Sequence, residues 1–567
     1  MNHRVIVNRV TIFFVILLLF LYPVFFRMDF NKTDFGTTDI LRMISPNAFI
    51  YLTTLSVSIG LYFLTLSKKA NTLFIPIIIV LALFSLFSFS QFPALSDKDY
   101  FLHGRLDSII ISEGHLPSVS EQGNYYVQWP LAIIFRAVTS IITGLPEIDS
   151  TRVLSFIFPI LLVLFFYILA RVKLGPYLAG IVPALFLVSN LVYPTDEIDH
   201  FCPQLFALTL FLLALYLVTK ETSKKDGRII TCLILLVSFS IILSHPITPF
   251  FLLPSFMAIW FFNFYLKRRN RKTSFTSINF VLVILLLLLF LAWSFLYAGN
   301  SFDQGFTQIM SGNGHLASQV QVYDFQTELL VFFSYYWKII ALLILLPALF
   351  VTFRVLRKGN PEQEKILTPL CWVLLGCIIG GLVFSVTSFF DLTRVLTFIL
   401  IPACFITVFF LTKHINVKIL SFLVVLLVIP GFFVIYGFSN QFTVYQHSSE
   451  ISACQWLSIK NVNHELVTSD YNTMIIYSYY DWRSWPTGIV GDEQITDYSL
   501  PISSTHPFFQ GQFMVRSIRQ DIMQENYLMN ETMPGKEYWS QIDLYASNSY
   551  NKIFSNGNIE IFSKQEK

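Results

Sequence analysis

Thirteen apolar runs, most of them near the length a helix needs to cross hydrocarbon, constrain this chain more than any motif in it. A bilayer's hydrocarbon core is ~30 Å thick and a helix rises ~1.5 Å per residue, so about 20 apolar residues in succession cross it. Such runs fall at roughly 10–27, 47–66, 72–91, 151–171, 176–193, 202–219, 229–244, 246–266, 279–298, 329–353, 367–389, 392–412 and 417–437. The 567 residues are 54% hydrophobic and only 13% charged. A soluble protein is excluded, and the class is a polytopic α-helical membrane protein with about 13 transmembrane helices. The first run follows Arg4 and Arg9 as a signal peptide would, but Tyr22 to Arg27 is bulky throughout and offers no small-residue cleavage site, so it reads as a retained span. The six cysteines fall mostly inside apolar runs and have neither disulfide nor metal-knuckle spacing.

Basic residues in short connections set orientation. With the N-terminus in the cytoplasm, 21 Lys and Arg lie on the inner side and 9 on the outer, with clusters at Lys68-Lys69, Lys220 to Arg228, Lys267 to Lys272 and Arg354 to Lys358. An odd number of spans then leaves the tail outside. The chain divides into a transmembrane region, 1–437, holding an acidic outer loop with juxtamembrane helices at 96–150, and an extracytoplasmic C-terminal domain, 438–567. The segment Pro130 to Gly144 is apolar but short and contains Arg136. If it crossed, every later basic cluster would move outside, so it is expected to lie along the outer surface as a helix.

Acidic residues do little for topology, yet the outer loops carry 17 and the inner connections 4, an excess that needs a chemical reason. Asp97 and Asp99 sit a few residues past the end of the third span. Asp196, Glu197, Asp199 and His200 cluster between the fifth and sixth. Ser244-His245-Pro246 makes a tight reversal between the seventh and eighth, and Asp391 and Arg394 share a helix face at the start of the twelfth. A carboxylate at a membrane boundary can deprotonate an acceptor, and a set of them can hold a divalent cation, Mg or Mn, against a phosphate. A guanidinium such as that of Arg394 suits a phosphate or diphosphate. These point to transfer of a group from a phosphate-bearing lipid. No Gly-rich phosphate loop for a soluble nucleotide donor is present, and nothing suggests nucleic acid.

Asp97 and Asp99 are followed by FLHGRLDSIIISEGHLP, a Tyr and Trp-Pro segment and a juxtamembrane helix ending in Gly144; Arg152 opens the next span, and the second acidic loop and late Arg394 follow. In these elements, over about residues 90 to 410, the chain resembles the GT-C superfamily of membrane glycosyltransferases that use polyprenyl-phosphate sugars, in particular the protein mannosyltransferase and aminoarabinose transferase branch. The resemblance implies a GT-C-like fold, a glycosyltransferase activity, and a first-loop Asp acting as catalytic base or metal ligand. It implies a polyprenyl-phosphate-linked sugar as donor, with Arg394, His103 and Arg152 as candidates for its phosphate. Asp196, Glu197, Asp199 and His200 become candidates for acceptor or metal, with His245 and Asp391 behind them. The acceptor is a protein, a lipid or a cell-surface glycan. The layout of thirteen spans with an outer C-terminal domain is also similar to oligosaccharyltransferase catalytic subunits. Two features depart: three spans precede the acidic loop, and no WWD-type sequence occurs, the nearest being Tyr479-Tyr480-Asp481-Trp482. Transfer of one sugar therefore fits better than en bloc transfer.

Plainer roles exist for each residue. Asp97 and Asp99 can cap the segment DYFLHGRLDSIII, which has helical periodicity; the second acidic loop can be merely solvated; His103 and His245 can be structural. An oligosaccharyltransferase, a glycan polymerase or ligase, and a transporter of lipid-linked glycan are the competing classes, although a transporter would carry internal repeats and midplane polar residues. In the tail, SEISACQWLS predicts a helix, HELVTSD a short strand and KIFSNGNIEIFSK a hairpin about Asn556-Gly557, together a small α/β domain.

Overall fold

Nine helices coincide with the fourth to twelfth apolar runs. The structure, a computed structural model, describes residues 98–116, 125–175, 178–191, 201–219, 227–268, 278–299, 328–358, 361–385, 392–416, 419–420, 448–461, 467–468, 513–517, 550–555 and 559–564. The first three runs, and the thirteenth apart from 419–420, lie outside these residues, so the nine are α3 (Glu147–Leu174), α4 (Ile181–Leu191), α5 (Pro203–Thr219), α6 (Gly227–Ser244), α7 (Thr248–Arg268), α8 (Phe280–Leu296), α9 (Glu328–Lys358), α10 (Pro361–Ser385) and α11 (Leu392–His414). Six of the described helices contain a stretch long and apolar enough to cross a membrane, and α5 and α8 are slightly shorter apolar helices. Their outward faces keep large apolar side chains exposed, among them Leu236, Val281, Leu288, Leu343, Phe353 and Leu382, a surface that only lipid or protein can cover. The chain is a multi-pass membrane protein.

Successive helices reverse direction, which gathers their ends into two layers. At one end the backbone N–H of Phe201, just before α5, donates to Ser155 Oγ in the third turn of α3 at 2.7 Å, and Trp293 Nε1 near the end of α8 donates to the carbonyl of Gln128 at 3.0 Å. At the other end Lys173 Nζ of α3 donates to the carbonyl of Thr219, the last residue of α5, at 2.5 Å. Arg171, Lys267, Arg268, Arg354, Arg357 and Lys413 belong to helix termini of that second, basic end.

Two described helices precede the nine. α1 (Lys98–Glu113) and α2 (Leu131–Thr143) flank a 3-10 turn at Tyr125–Gln128. α2 stops where Gly144 takes φ 69°, its N–H closing on the Ser140 carbonyl at 2.8 Å, a left-handed cap that glycine adopts without strain. At 13 residues, ~20 Å, it is too short to span a bilayer. It buries Ala132, Ile133, Arg136, Ala137 and Ser140 while exposing Val138, Ile141 and Ile142, the pattern of a helix laid against lipid. Phe135 of α2 joins Phe158 of α3 and Phe201 and Phe206 at the start of α5 in an aromatic cluster with centroids 4.8–6.3 Å apart, which fixes α2 to the loop-bearing end.

The bundle core is one continuous apolar cluster through α3 to α11. Its closest approach is α7 on α10. Gly376 and Gly380, one turn apart, face Pro254-Ser255 and Phe250 with no room for a Cβ between the backbones. Small residues at this spacing are how helices approach in a membrane, where apolar burial gives no net drive and close packing must supply it.

The tail folds as expected in kind. α12 (Ser448–Lys460) covers β4 of a four-stranded sheet ordered β1-β2-β4-β3, from β1 (Val467–Thr468), β2 (Phe513–Ser517), β3 (Tyr550–Ser555) and β4 (Ile559–Lys564). β3 and β4 pair antiparallel across residues 556–558, as the Asn-Gly signal predicts, and Trp456 packs on Phe554 at 4.9 Å. β2 was not expected. It pairs parallel to β1 and antiparallel to β4, and only that sheet context distinguishes FMVRS from a loop.

Candidate functional site

α1 carries the acidic loop's chemistry on a helix. Asp99 lies in its first turn, His103 and Asp107 follow at four-residue intervals on the same face, and Asp97 immediately precedes it, outside the described residues. Leu106, Val127 and Ile133 form a small apolar cluster that holds α1 to the 3-10 turn and α2. Beside it the Asp107 carboxylate accepts from Arg136 Nε, an ion pair between a carboxylate 0% exposed and a guanidinium 2% exposed. His103 and Arg105 are equally buried. Asp107 Oδ1 and Arg136 Nη2 have no further hydrogen-bond partner among the described residues. Burial pushes the Asp107 carboxyl up to about 7; the charge and hydrogen bond of Arg136 oppose this, and the Glu147 charge adds to it. Burial pulls Arg105 down to about 9.

A second polar group forms at the α6–α7 reversal. His245 caps α6 through its N–H to the Ile241 carbonyl at 3.3 Å. Its Nδ1 lies 3.0 Å from Thr248 Oγ1 and accepts from the Thr248 N–H at 3.4 Å. A backbone N–H can only donate, so the ring proton sits on Nε2. Two contacts bring the start of α11 to this turn: Phe251 of α7 stacks on Phe398 of α11 at 4.3 Å, and Gly381 of α10 lets the Val395 side chain close in. Arg394, half-buried, therefore acts on His245. Burial first and the Arg394 charge second hold the imidazole well below its ordinary pKa of 6.5. A base whose folded pKa is depressed contributes stability above its unfolded value that is lost as pH falls toward the folded one. Thermal melting between pH 7.5 and 5.5 is expected to show a larger loss for the wild type than for His245→Gln; equal losses would mean that the ring is solvated.

His245 and Arg394 thus interact electrostatically. Arg152 occupies the second turn of α3, with its side chain outside the description, as is that of Asp99. Asp391 directly precedes α11, and Asp196, Glu197, Asp199 and His200 connect α4 to α5 at the loop-bearing end; all five lie outside the described residues. Among the described residues no group of three or more His, Cys, Asp or Glu could hold a metal ion. Asp107, Arg105 and the pairing role of Arg136 were not anticipated. The available signals were Asp107 eight residues past Asp99 and a lone Arg in an apolar helix.

No protein-family model matches the sequence and no curated protein matches it. Solved structures do. ArnT from Cupriavidus metallidurans, crystallised bound to undecaprenyl phosphate, superposes with a TM-score of 0.50 at 11% identity over 88% of this chain and 98% of its own. The Archaeoglobus fulgidus oligosaccharyltransferase, in a complex with Zn and sulfate, gives 0.49 at 11% identity over 86% of this chain and 73% of its own. The same enzyme tethered to an acceptor peptide gives 0.48 at 12% identity over 88% and 74%. The likeness to ArnT shows the fold: the bundle has the GT-C architecture.

Proposed function

We propose that the protein is a glycosyltransferase that moves a sugar from a polyprenyl-phosphate donor to an acceptor at the outer face of the membrane. One observation carries this reading: in a bundle of GT-C architecture, α1 with Asp99 in its first turn and the Arg394–His245 pair lie at the same, loop-bearing end. ArnT, whose fold the chain shares, binds a polyprenyl phosphate, and such a lipid can enter sideways between helices while its phosphate stays at their ends.

Asp99, or Asp97 beside it, takes the proton of the acceptor's nucleophilic O–H or N–H. The freed oxygen or nitrogen bonds to the anomeric carbon as the bond from that carbon to the phosphate oxygen breaks, and the electron pair leaves with the polyprenyl phosphate. The guanidinium of Arg394 receives that growing negative charge, which is where electrostatic help lowers a barrier. A neutral His245 adds an Nε2–H donor nearby without competing for protons. His103 and Arg152, on α1 and α3 of the same end, are further candidates for the donor phosphate. The acceptor is a protein, a lipid or a cell-surface glycan; the basic end of the bundle is cytoplasmic, and with the thirteenth apolar run of the sequence crossing back the C-terminal domain is outside.

Purified protein in lipid nanodiscs should consume one member of a panel of polyprenyl-phosphate sugars, and Arg394→Ala should lower that turnover about a hundredfold, the scale of losing one preorganised charge-stabilising donor. Consumption of none, with labelled lipid-linked glycan crossing the bilayer instead, would replace the enzyme by a transporter. Asp97, Asp196, Glu197 and Asp199 are hard oxygen donors of the kind that hold Mg2+ or Mn2+. Turnover is expected to fall on treatment with EDTA and return with either ion; turnover that survives chelation removes the cation from this reading.

A further inference from the structure

We propose that Asp107 and Arg136 are positioning residues for the transfer reaction: their buried ion pair locks α1 onto α2 and so fixes where the first turn of α1, with Asp99, stands over the helix ends. The role rests on the glycosyl-transfer reading; the lock itself does not.

Stability alone does not account for the pair. Taking a carboxylate and a guanidinium out of water is costly, and apolar residues of the same volume commonly hold two helices as well or better. What an ion pair adds is a single permitted register, because a one-turn slip would strand both charges. The surroundings make that register matter. Beside the pair, Leu106 and Ile110 of α1 pack with Val127 of the 3-10 turn and Ile133 of α2, and α2 is held to α3 and α5 by the cluster around Phe135. The ion pair therefore transmits a position from the bundle, through α2, to α1. Asp107 lies two turns after Asp99 on one face, and a carboxylate misplaced by about 1 Å can lose on the order of a hundredfold in rate.

The lock also has a pH at which it loosens. The groups acting on Asp107 from the two helices packed against α1 are Arg136 on α2 and Glu147 on α3, while Arg105 and His103 are buried on its own helix. With the carboxyl near 7, acidification puts a proton on Asp107 and removes the charge from its bond to Arg136.

The test uses the full-length protein in nanodiscs with the donor identified from the panel of polyprenyl-phosphate sugars. Removing one partner strands the other charge and can prevent folding, so the informative protein is Asp107→Asn combined with Arg136→Gln. Hydrogen–deuterium exchange of the α1 amides, read against α11 in the same sample, should quicken about tenfold or more, while α11 is unchanged. In the same protein kcat should drop about a hundredfold with KM within about twofold of wild type, and the acid limb that the wild-type rate shows near pH 7 should disappear. Unchanged α1 exchange would overturn the lock. Faster exchange with unchanged kcat would overturn the positioning role, as would an acid limb near pH 7 that persists in the double variant. Wild-type protein that consumes no donor refutes the glycosyl-transfer reading and the positioning role with it, and the exchange measurement then decides the lock alone.

Discussion

Asp99→Asn is expected to lower turnover about a thousandfold without unfolding the protein. A general base contributes roughly 10²- to 10⁴-fold, so the loss corresponds to about 4 kcal/mol in the barrier. The amide occupies nearly the same volume as the carboxylate and cannot take a proton. The plainer role, a carboxylate favoured near a helix N-terminus, predicts something different. Asp99 stands in the first turn of α1, where a negative charge contributes about 0.3–1 kcal/mol through the helix dipole; on that account the substitution costs a little stability and spares the rate. Asp97→Asn is the matched comparison, because Asp97 directly precedes the helix and Asn caps about as well as Asp. A rate loss confined to Asp97→Asn moves the base by two residues. If both variants turn over like wild type, the base reading of this loop is wrong.

Much of the architecture was legible because its signals are local. Nine apolar runs became helices whose ends lie within a few residues of those expected, for the reason that a membrane helix must satisfy its own backbone and cover itself in apolar groups. Pro130 to Gly144 was recognisable as a short helix from its length, its glycine and its one arginine. That arginine was read only for topology, and its partner is 29 residues away on another helix, a relation no periodicity encodes. The electrostatic influence of Arg394 on His245 is equally invisible in sequence, since it depends on α7, α10 and α11 closing on one another. Asp196, Glu197, Asp199 and His200 were legible as a cluster, and what they contact lies outside the described residues.

Gly380→Val is expected to destabilise the bundle by about 3 kcal/mol or more and to take turnover with it. A Cβ at this position lands on the carbonyl oxygen of Phe250, and one at Gly376 lands on the backbone of Ser255. The obstacle in each case is backbone, which cannot change rotamer, so α7 and α10 must move apart; overpacking of a tight core costs about 1–3 kcal/mol even where side chains can give. Against a typical stability of roughly 5–15 kcal/mol that is a large fraction. The displacement would also reach the site. Phe250 lies two residues past Thr248, the partner of His245, and Gly381 packs on Val395, the neighbour of Arg394. Separating α7 from α10 therefore pulls His245 and Arg394 off the common scaffold that aligns them. Gly227→Ala is the control, because its Cβ would enter open space at the start of α6, and it should melt like wild type. Thermal melting in nanodiscs reads both variants; a Gly380→Val protein as stable as Gly227→Ala would show that α7 and α10 do not meet through these glycines.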